Sequence, residues 1–526
     1  MTDSADDIRK QVQERIDQEA AQTAPADEPP KVTSELINGC LFANELGDGI
    51  LYATLFRGRF LYKKDTGTWF EWNGNCWQQD IMNRSLAAVE EVALLYLGEY
   101  KKTSVEIAEA AAKDADGDGD LIKKLKGRQA KLLKRAEQLR SAGKRRAACL
   151  EFAHTLPDNP LAIKGEEFDK HPWLFPCKNG VIDLRTGRLR PGVPGDYLSM
   201  ASPVEFLGID TPAPLWEKSL PEIFNGKLDM VAYLQRLFGY CITGIVNEKV
   251  FPILYGRTGW NGRSLIIETI NYVMGAMAGS IASEMLLSQK FTKSSSGPSP
   301  DIMSLKGIRL SFASEIDDNQ RFSAAKIKKL TGKNELVGRH PNDKYEVRFP
   351  PTQKILIETN LQPSAPANDK SFWERMHLIP FEVSFVNRDP LAAHERRAIL
   401  DLDDQILKEA PGVLAWLVRG CLLWQQQGLQ PPLEVIEAAK KYQKNEDQLG
   451  DFIEACCVLN PGAQVQARVI YQRYVEWYKE NMDHREGKEP TNTTFGKQLG
   501  QIFDKRHSNG RVVYTGIDII PTDKEG

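Results

Sequence analysis

The chain has little of what marks a secreted, metal-caged or membrane-spanning protein. Its eight cysteines, at positions 40, 76, 149, 177, 241, 421, 456 and 457, form no C-x-x-C pair. Cys456 and Cys457 are adjacent, a spacing that suits neither a disulfide framework nor a zinc cage. Reduced thiols in a cytoplasmic setting are the expectation. No long uncharged apolar run occurs, so no membrane-spanning helix is expected. The acidic, polar first residues do not read as a signal peptide. Charge of one sign is not in excess either: 68 basic against 71 acidic residues leave a net charge of −3, so any nucleic-acid surface must be local. What is present is ordinary globular chemistry, 41% hydrophobic and 26% charged over 526 residues, enough chain for roughly three or four domains.

Residues 1–33 read as a solvated tail ending in Pro29-Pro30. Beyond it, Phe60-Leu61-Tyr62 and Trp69-Phe70-Glu71-Trp72 flank Asp65-Thr66-Gly67, the pattern of a hairpin whose aromatics pack a small sheet or stack on bases. Residues 84–153 read as helical, interrupted by an acidic loop. There Asp114, Asp116, Asp118 and Gly119 imitate a calcium site, but Leu125 stands where a bidentate glutamate is required, so calcium is rejected. The basic run Lys144-Arg145-Arg146 reads as a solvated helix face or a phosphate contact. Asn179–Leu189 carries an Asn-Gly turn, a strand and a second turn, another hairpin. Residues 227–246 form an apolar helix, after which strands and helices alternate to about residue 385, the mark of a nucleotide-binding α/β sheet.

The alternation opens on Phe251-Pro252-Ile253-Leu254-Tyr255, a strand that runs into Gly256-Arg257-Thr258-Gly259-Trp260-Asn261-Gly262-Arg263-Ser264-Leu265. Strand, glycine-bearing loop, cation, hydroxyl and amphipathic helix are the parts of a phosphate cradle. Loop amides and the helix N-terminus bind phosphate, the cation reaches the outer phosphates and the hydroxyl holds Mg²⁺. Two departures stand out: the usual lysine is Arg263, and Gly256 lies one residue too far upstream for G-x-x-x-x-G-K-[ST]. Three partners follow in order. Ile308–Glu315 is a buried-strand pattern tipped by Glu315, placed to order water or share the Mg²⁺; Lys354–Asn360 ends in Asn360, a γ-phosphate or water contact; Arg375 precedes the strand 377–381 and is a candidate finger for a neighbouring subunit's site. Structural readings stand beside each: a strand-capping acid, a turn-forming asparagine and a surface ion pair. Between acid and asparagine, strands 335–339 and 345–349 flank a turn, with His340 and Lys344 at its tip. Repeated around a ring, such a hairpin would line a pore with positive charge for a DNA backbone.

The ordered set Asn179–Gly187, Asn261–Ser264, Ala313-Ser314-Glu315, Lys326–Gly332, Lys354–Asn360, and Phe372–Met376 with Ile379-Pro380-Phe381 resembles the superfamily 3 helicases. Specifically, it resembles the phage/plasmid primase–helicase branch shared with the poxvirus primase-helicases. The resemblance covers about residues 165–385. It implies an α/β fold with an AAA+-like P-loop ATPase core, a homo-hexameric ring and 3′ to 5′ translocation on single-stranded DNA during replication of a mobile element. It implies ATP and Mg²⁺ as cofactors, held by Gly256, Gly259, Asn261, Gly262, Arg263, Ser264 and Leu265, with Ser264 and Glu315 on the metal. Glu315, Asn360 and Arg375 take the catalytic roles of acid, sensor and trans finger. Lys328, Lys329, His340 and Lys344 face DNA. A host-cell cytoplasm and a separate primase or replication protein as partner follow from the same resemblance, since no primase-polymerase domain is found in the sequence. Arg263 also supports an alternative: a hydrolysis-impaired ATP-binding ring that acts as an origin-binding or interference scaffold.

Past a helical stretch at 400–427 and the Pro431-Pro432 break, residues 447–520 read as a winged helix. Phe495 and Leu499 give its second helix an apolar face, and Lys505–Tyr514 reads as a basic wing. Lys497, Lys505, Arg506 and Arg511 are the candidates for duplex DNA, with protein docking as the other reading. The expected division is a tail at 1–33, a mixed, largely helical domain at 34–160, a hairpin-containing region at 161–225, the ATPase at 226–400, a helical connector at 401–446 and the winged helix at 447–526.

Overall fold

A computed structural model of the chain describes residues 31–113, 119–157, 160–289, 297–314, 320–341, 345–481, 491–500, 502–508 and 510–520. The chain divides into two compact units: one of residues 1–170 with 192–199, the other of 171–191 with 200–526.

In the first unit, Asp65-Thr66-Gly67 turns the strand Phe60–Lys63 back onto Thr68–Trp72 in antiparallel register, and Trp77–Gln79 adds a third strand. Phe60 and Trp77 are buried, and Trp69, Phe70 and Trp72 pack around them, so these rings serve as core. The helices Ser34–Phe42, Asn44–Leu55, Val89–Lys113, Gly119–Arg140 and Lys144–Thr155 belong to the same unit. The acidic loop at 114–118 lies outside the described residues. Asp48 is fully buried and holds three partners: Arg135 Nη1 and Arg145 Nε at 2.8 Å each, and the Tyr96 hydroxyl at 2.9 Å. Arg146 donates to the Leu86 carbonyl at 3.0 Å. In the run Lys144-Arg145-Arg146, Lys144 is exposed, whereas Arg145 and Arg146 are engaged inward and are neither a solvated face nor a phosphate contact. A buried carboxylate needs paired donors, and Arg145 turns inward with Arg135 to supply them, while Arg146 turns inward to a backbone carbonyl.

The second unit is built on a five-stranded, wholly parallel sheet. Across it lie Met376–Pro380, Phe251–Tyr255, Lys354–Thr359, Leu310–Ala313 and Ala278–Ser280. Numbered along the chain, that order is 5-1-4-3-2. Both faces are covered, which is why the strands read as apolar runs rather than alternating ones. Leu254 and Leu356 face the helix Arg263–Met274 through Ile266 and Ile270, whereas Ile253, Ile355 and Ile357 pack with Phe322, Leu330 and Phe349 on the other side. The helices Leu228–Cys241 and Ala410–Gln427 approach so closely that a Cβ on Gly239 would lie 2.1 Å from the Cys421 amide nitrogen. Lys354 begins its strand fully buried and donates to carbonyls of Thr243 and Thr352; burial lowers its ammonium pKa to about 7.

The hairpin 335–349 is present but shorter than its sequence pattern, pairing Leu336–Gly338 with Val347–Phe349. The sequence after Asn179 forms Gly180–Asp183 paired with Arg188–Arg190, and Leu174–Cys177 adds a third strand. At the C-terminal end, helix Gln448–Cys456 leads into strand Cys457–Gln466, helices Ala467–Asn481 and Asn492–Leu499, and the antiparallel pair Lys505–Ser508 and Arg511–Ile519. Ile470, Tyr474, Trp477, Phe495 and Leu499 form the small core of this part. No helix among the described residues is long and apolar enough to cross a membrane.

Candidate functional site

Because every strand of the central sheet is parallel, the loops after the strands all gather at one edge. The loop after Tyr255 opens there. Gly256 is buried against Asn261, whose amide nitrogen lies only 2.1 Å from where a Cβ would stand, so the loop closes on itself only with glycine at this position. Asn261 donates to the Thr258 carbonyl at 2.7 Å, and the Thr258 hydroxyl meets the Ser384 hydroxyl at 2.8 Å. Gly262 adopts φ +84°, the left-handed turn that starts the helix Arg263–Met274; it has no side chain with which to cap that helix, and the Asn261 side-chain oxygen accepts the first helical amide, that of Arg263, at 3.4 Å.

Arg263 is buried, 5% exposed, and its guanidinium turns into the sheet edge. It donates to the carbonyls of Leu254 and Thr359, to the Asn360 side-chain oxygen and, through Nε at 3.0 Å, to the Asn261 side-chain oxygen. Burial lowers the guanidinium pKa, and the Glu358 carboxylate 3.8 Å away opposes that shift. Ser264 donates its hydroxyl to the same Glu358 carboxylate at 3.1 Å. The sequence therefore brings Asn261, Arg263, Ser264 and Asn360 together, with Glu358 as an added member. Strand alternation is the signal that could have found it: Glu358 and Asn360 are two residues apart and share a face at the strand's end. Glu315 lies outside the described residues; its strand, Leu310–Ala313, runs parallel beside Lys354–Thr359 toward the same edge.

These groups line a cleft of about 610 Å³. Gly259, Trp260, Gly262 and Leu265 form one wall, and the segment from Arg397 to Asp403 forms another. That volume falls within the range of small-molecule and cofactor sites. Arg375 stands elsewhere: its carbonyl accepts the Phe251 amide, so it sits at the opposite end of the sheet, roughly 16 Å away at 3.3 Å per strand residue. Its guanidinium donates to the Ser371 carbonyl at 2.5 Å.

The DNA candidates are dispersed. Lys328 pairs with Asp369 at 2.8 Å, while Lys329 and His340 are exposed and Lys344 lies outside the described residues. Lys497, Lys505, Arg506 and Arg511 are all exposed, the last three on the terminal strand pair. No group of three or more His, Cys, Asp or Glu side chains among the described residues is arranged to hold a metal; the carboxylates of Glu222, Glu268, Asp401 and Asp403 line the cleft besides the bonded pair Ser264 and Glu358.

Residues 50–225 match the family described as D5 N terminal like, and residues 444–516 match the family described as poxvirus D5 protein-like. "Putative helicase L207/L206" of Acanthamoeba polyphaga mimivirus is 25% identical over 442 residues, covering 80% of this chain and 44% of its own length. "Putative helicase 022R" of Frog virus 3 is 23% identical, covering 66% of this chain and 42% of its own. The chain thus spans less than half the length of these relatives. A solved structure, the apo C-terminal region of NrS-1, aligns over 71% of this chain and 90% of its own at 11% identity and a TM-score of 0.36, a likeness too loose to bear on the fold. With D5-type segments matched on both sides of the parallel sheet and viral putative helicases matched along most of its length, the chain is similar to the D5-type superfamily 3 primase-helicases.

Proposed function

We propose that the chain is an ATP-driven DNA helicase subunit that works as a homo-hexameric ring on single-stranded DNA, moving 3′ to 5′ during replication of a viral, phage or plasmid element. One observation carries this reading: Ser264, Glu358, Asn360 and the start of the helix Arg263–Met274 converge on one cleft at the C-terminal edge of a parallel sheet. The 5-1-4-3-2 strand order fits an AAA+-like P-loop core. The Ser264 hydroxyl would hold Mg²⁺, the loop amides and helix start the phosphates of ATP, and Asn360 the γ-phosphate or attacking water. Glu315 would be the acid that polarises that water. Arg375, too far from its own cleft, suits a neighbour's. The C-terminal order of helix, strand, two helices and two strands suits a winged helix on duplex DNA, and a separate primase or replication protein would act alongside.

Strand displacement on a forked duplex tests this. ATP, and not a non-hydrolysable analogue, should release the displaced strand, and Ser264→Ala should abolish release; release without hydrolysable nucleotide would defeat the reading.

The inward turn of Arg263 favours a second reading, an ATP-binding ring with impaired turnover that serves as an origin-binding or interference scaffold. A large gain in hydrolysis on Arg263→Lys would support the scaffold. Turnover by the unaltered chain supports the helicase.

A further inference from the structure

With the loop arginine committed to the sheet, the charge on an outer phosphate needs another cation. Only two basic side chains line the described cleft, Arg263 and Arg397. Arg263 is spent on two backbone carbonyls and two asparagine side-chain oxygens. Arg397 ends the short strand Glu395–Arg397, which pairs with Ser384–Val386. That pairing is anchored to the loop: the Phe385 amide donates to the Trp260 carbonyl at 2.6 Å, and Ser384 meets Thr258.

The neighbouring arginines of this strap are occupied. Arg388 makes a two-pronged pair with Glu395 at 2.7 and 2.8 Å, and Arg396 donates to the Ala393 and Glu395 carbonyls and to Asn225. Arg397 differs. Its partner is Asp389 at 3.1 Å, with the two side chains 74% and 88% exposed. Such a solvated pair contributes little and is readily exchanged for a phosphate, whose two oxygens match the guanidinium fork.

We propose that Arg397 is the cis-acting cation for the terminal phosphate of a bound nucleoside triphosphate, taking the place that a loop lysine would hold. This rests on the reading of the cleft as the nucleotide site. Arg263 is then a positioning residue: it locks Asn360 and Asn261 in place and does not bind the triphosphate. With the roles separated in this way, a loop with arginine at this position would still distinguish ATP from ADP.

The test is equilibrium binding of mant-ATP and mant-ADP, each with Mg²⁺, to the full chain and to Arg397→Ala, with Ser264→Ala as the site control and thermal melting recorded for each. Arg397→Ala should weaken mant-ATP about tenfold or more while moving mant-ADP less than about threefold, at an unchanged melting temperature. Arg397→Lys should recover part of the ATP preference. Equal affinities for Arg397→Ala and the unaltered chain, with Ser264→Ala impaired, would overturn the role of Arg397 and leave the cleft standing. Equal loss of both nucleotides would also overturn it. Absence of mant-nucleotide binding to the unaltered chain would overturn both the inference and the site.

Discussion

Arginine in place of lysine changes which atoms a loop cation can touch. A planar fork with five donors can serve several acceptors at once, where an ammonium acts as a point charge. Arg263 uses that capacity on Leu254, Thr359, Asn261 and Asn360. Arg263→Lys should therefore lower the melting temperature, by about 1–3 kcal/mol in stability, because buried acceptors lose donors; an unchanged melting curve would show that those hydrogen bonds contribute nothing. His377 offers a pH test. It meets the Tyr233 hydroxyl at 2.6 Å, and burial pushes its imidazole pKa down to about 4. The unfolded chain takes up a proton near pH 6.5 that the folded chain refuses until about pH 4. Stability from this group is thus complete above pH 6.5 and is lost as pH falls toward 4, by up to about 3 kcal/mol. His377→Gln should flatten the melting-temperature profile across that window relative to the unaltered chain, and an identical slope in both would remove His377 as its source. The identity of the loop residues is legible in the sequence, but the direction of the guanidinium is not. Spacing marks where a side chain starts, and burial with acceptor geometry decides where it ends; Arg145 and Arg146 turn inward against their sequence pattern for the same reason.

At the level of elements, strands and hairpins are the most readable. Asp65-Thr66-Gly67 and the Asn-Gly at 179–180 set their turns by local backbone preference, and both hairpins form where the pattern puts them. The order of strands in the central sheet is not readable, because parallel pairing is decided by contacts between residues far apart in sequence. Strand alternation puts Glu358 on the face of Asn360, but its meeting with Ser264, 94 residues away, is not readable for that reason. The terminal strand pair makes its own prediction. Ser508 and Arg511 close its turn, and Lys505 and Arg506 stand exposed on the first strand. If this is a wing on duplex DNA, Lys505→Glu with Arg506→Glu should weaken duplex binding at low salt by at least about tenfold. It should also reduce the slope of log affinity against log salt by about one for each phosphate left without its cation. Binding with an unchanged salt slope would assign this face to a protein partner instead.

On the scale of the whole molecule, 68 basic and 71 acidic residues nearly balance, so the proposed ring would need its positive charge at particular places, not throughout. All eight cysteines are free and buried, and burial pushes thiols such as Cys241 and Cys421 up to about 12. The account stands or falls on whether the edge of the central sheet hydrolyses a triphosphate under the control of DNA. Phosphate release from Mg²⁺–ATP by the full chain, with and without single-stranded DNA and beside Ser264→Ala, measures this most directly. Release stimulated by DNA and lost in Ser264→Ala is the result expected; release from the unaltered chain no higher than from Ser264→Ala, with DNA present, would contradict it.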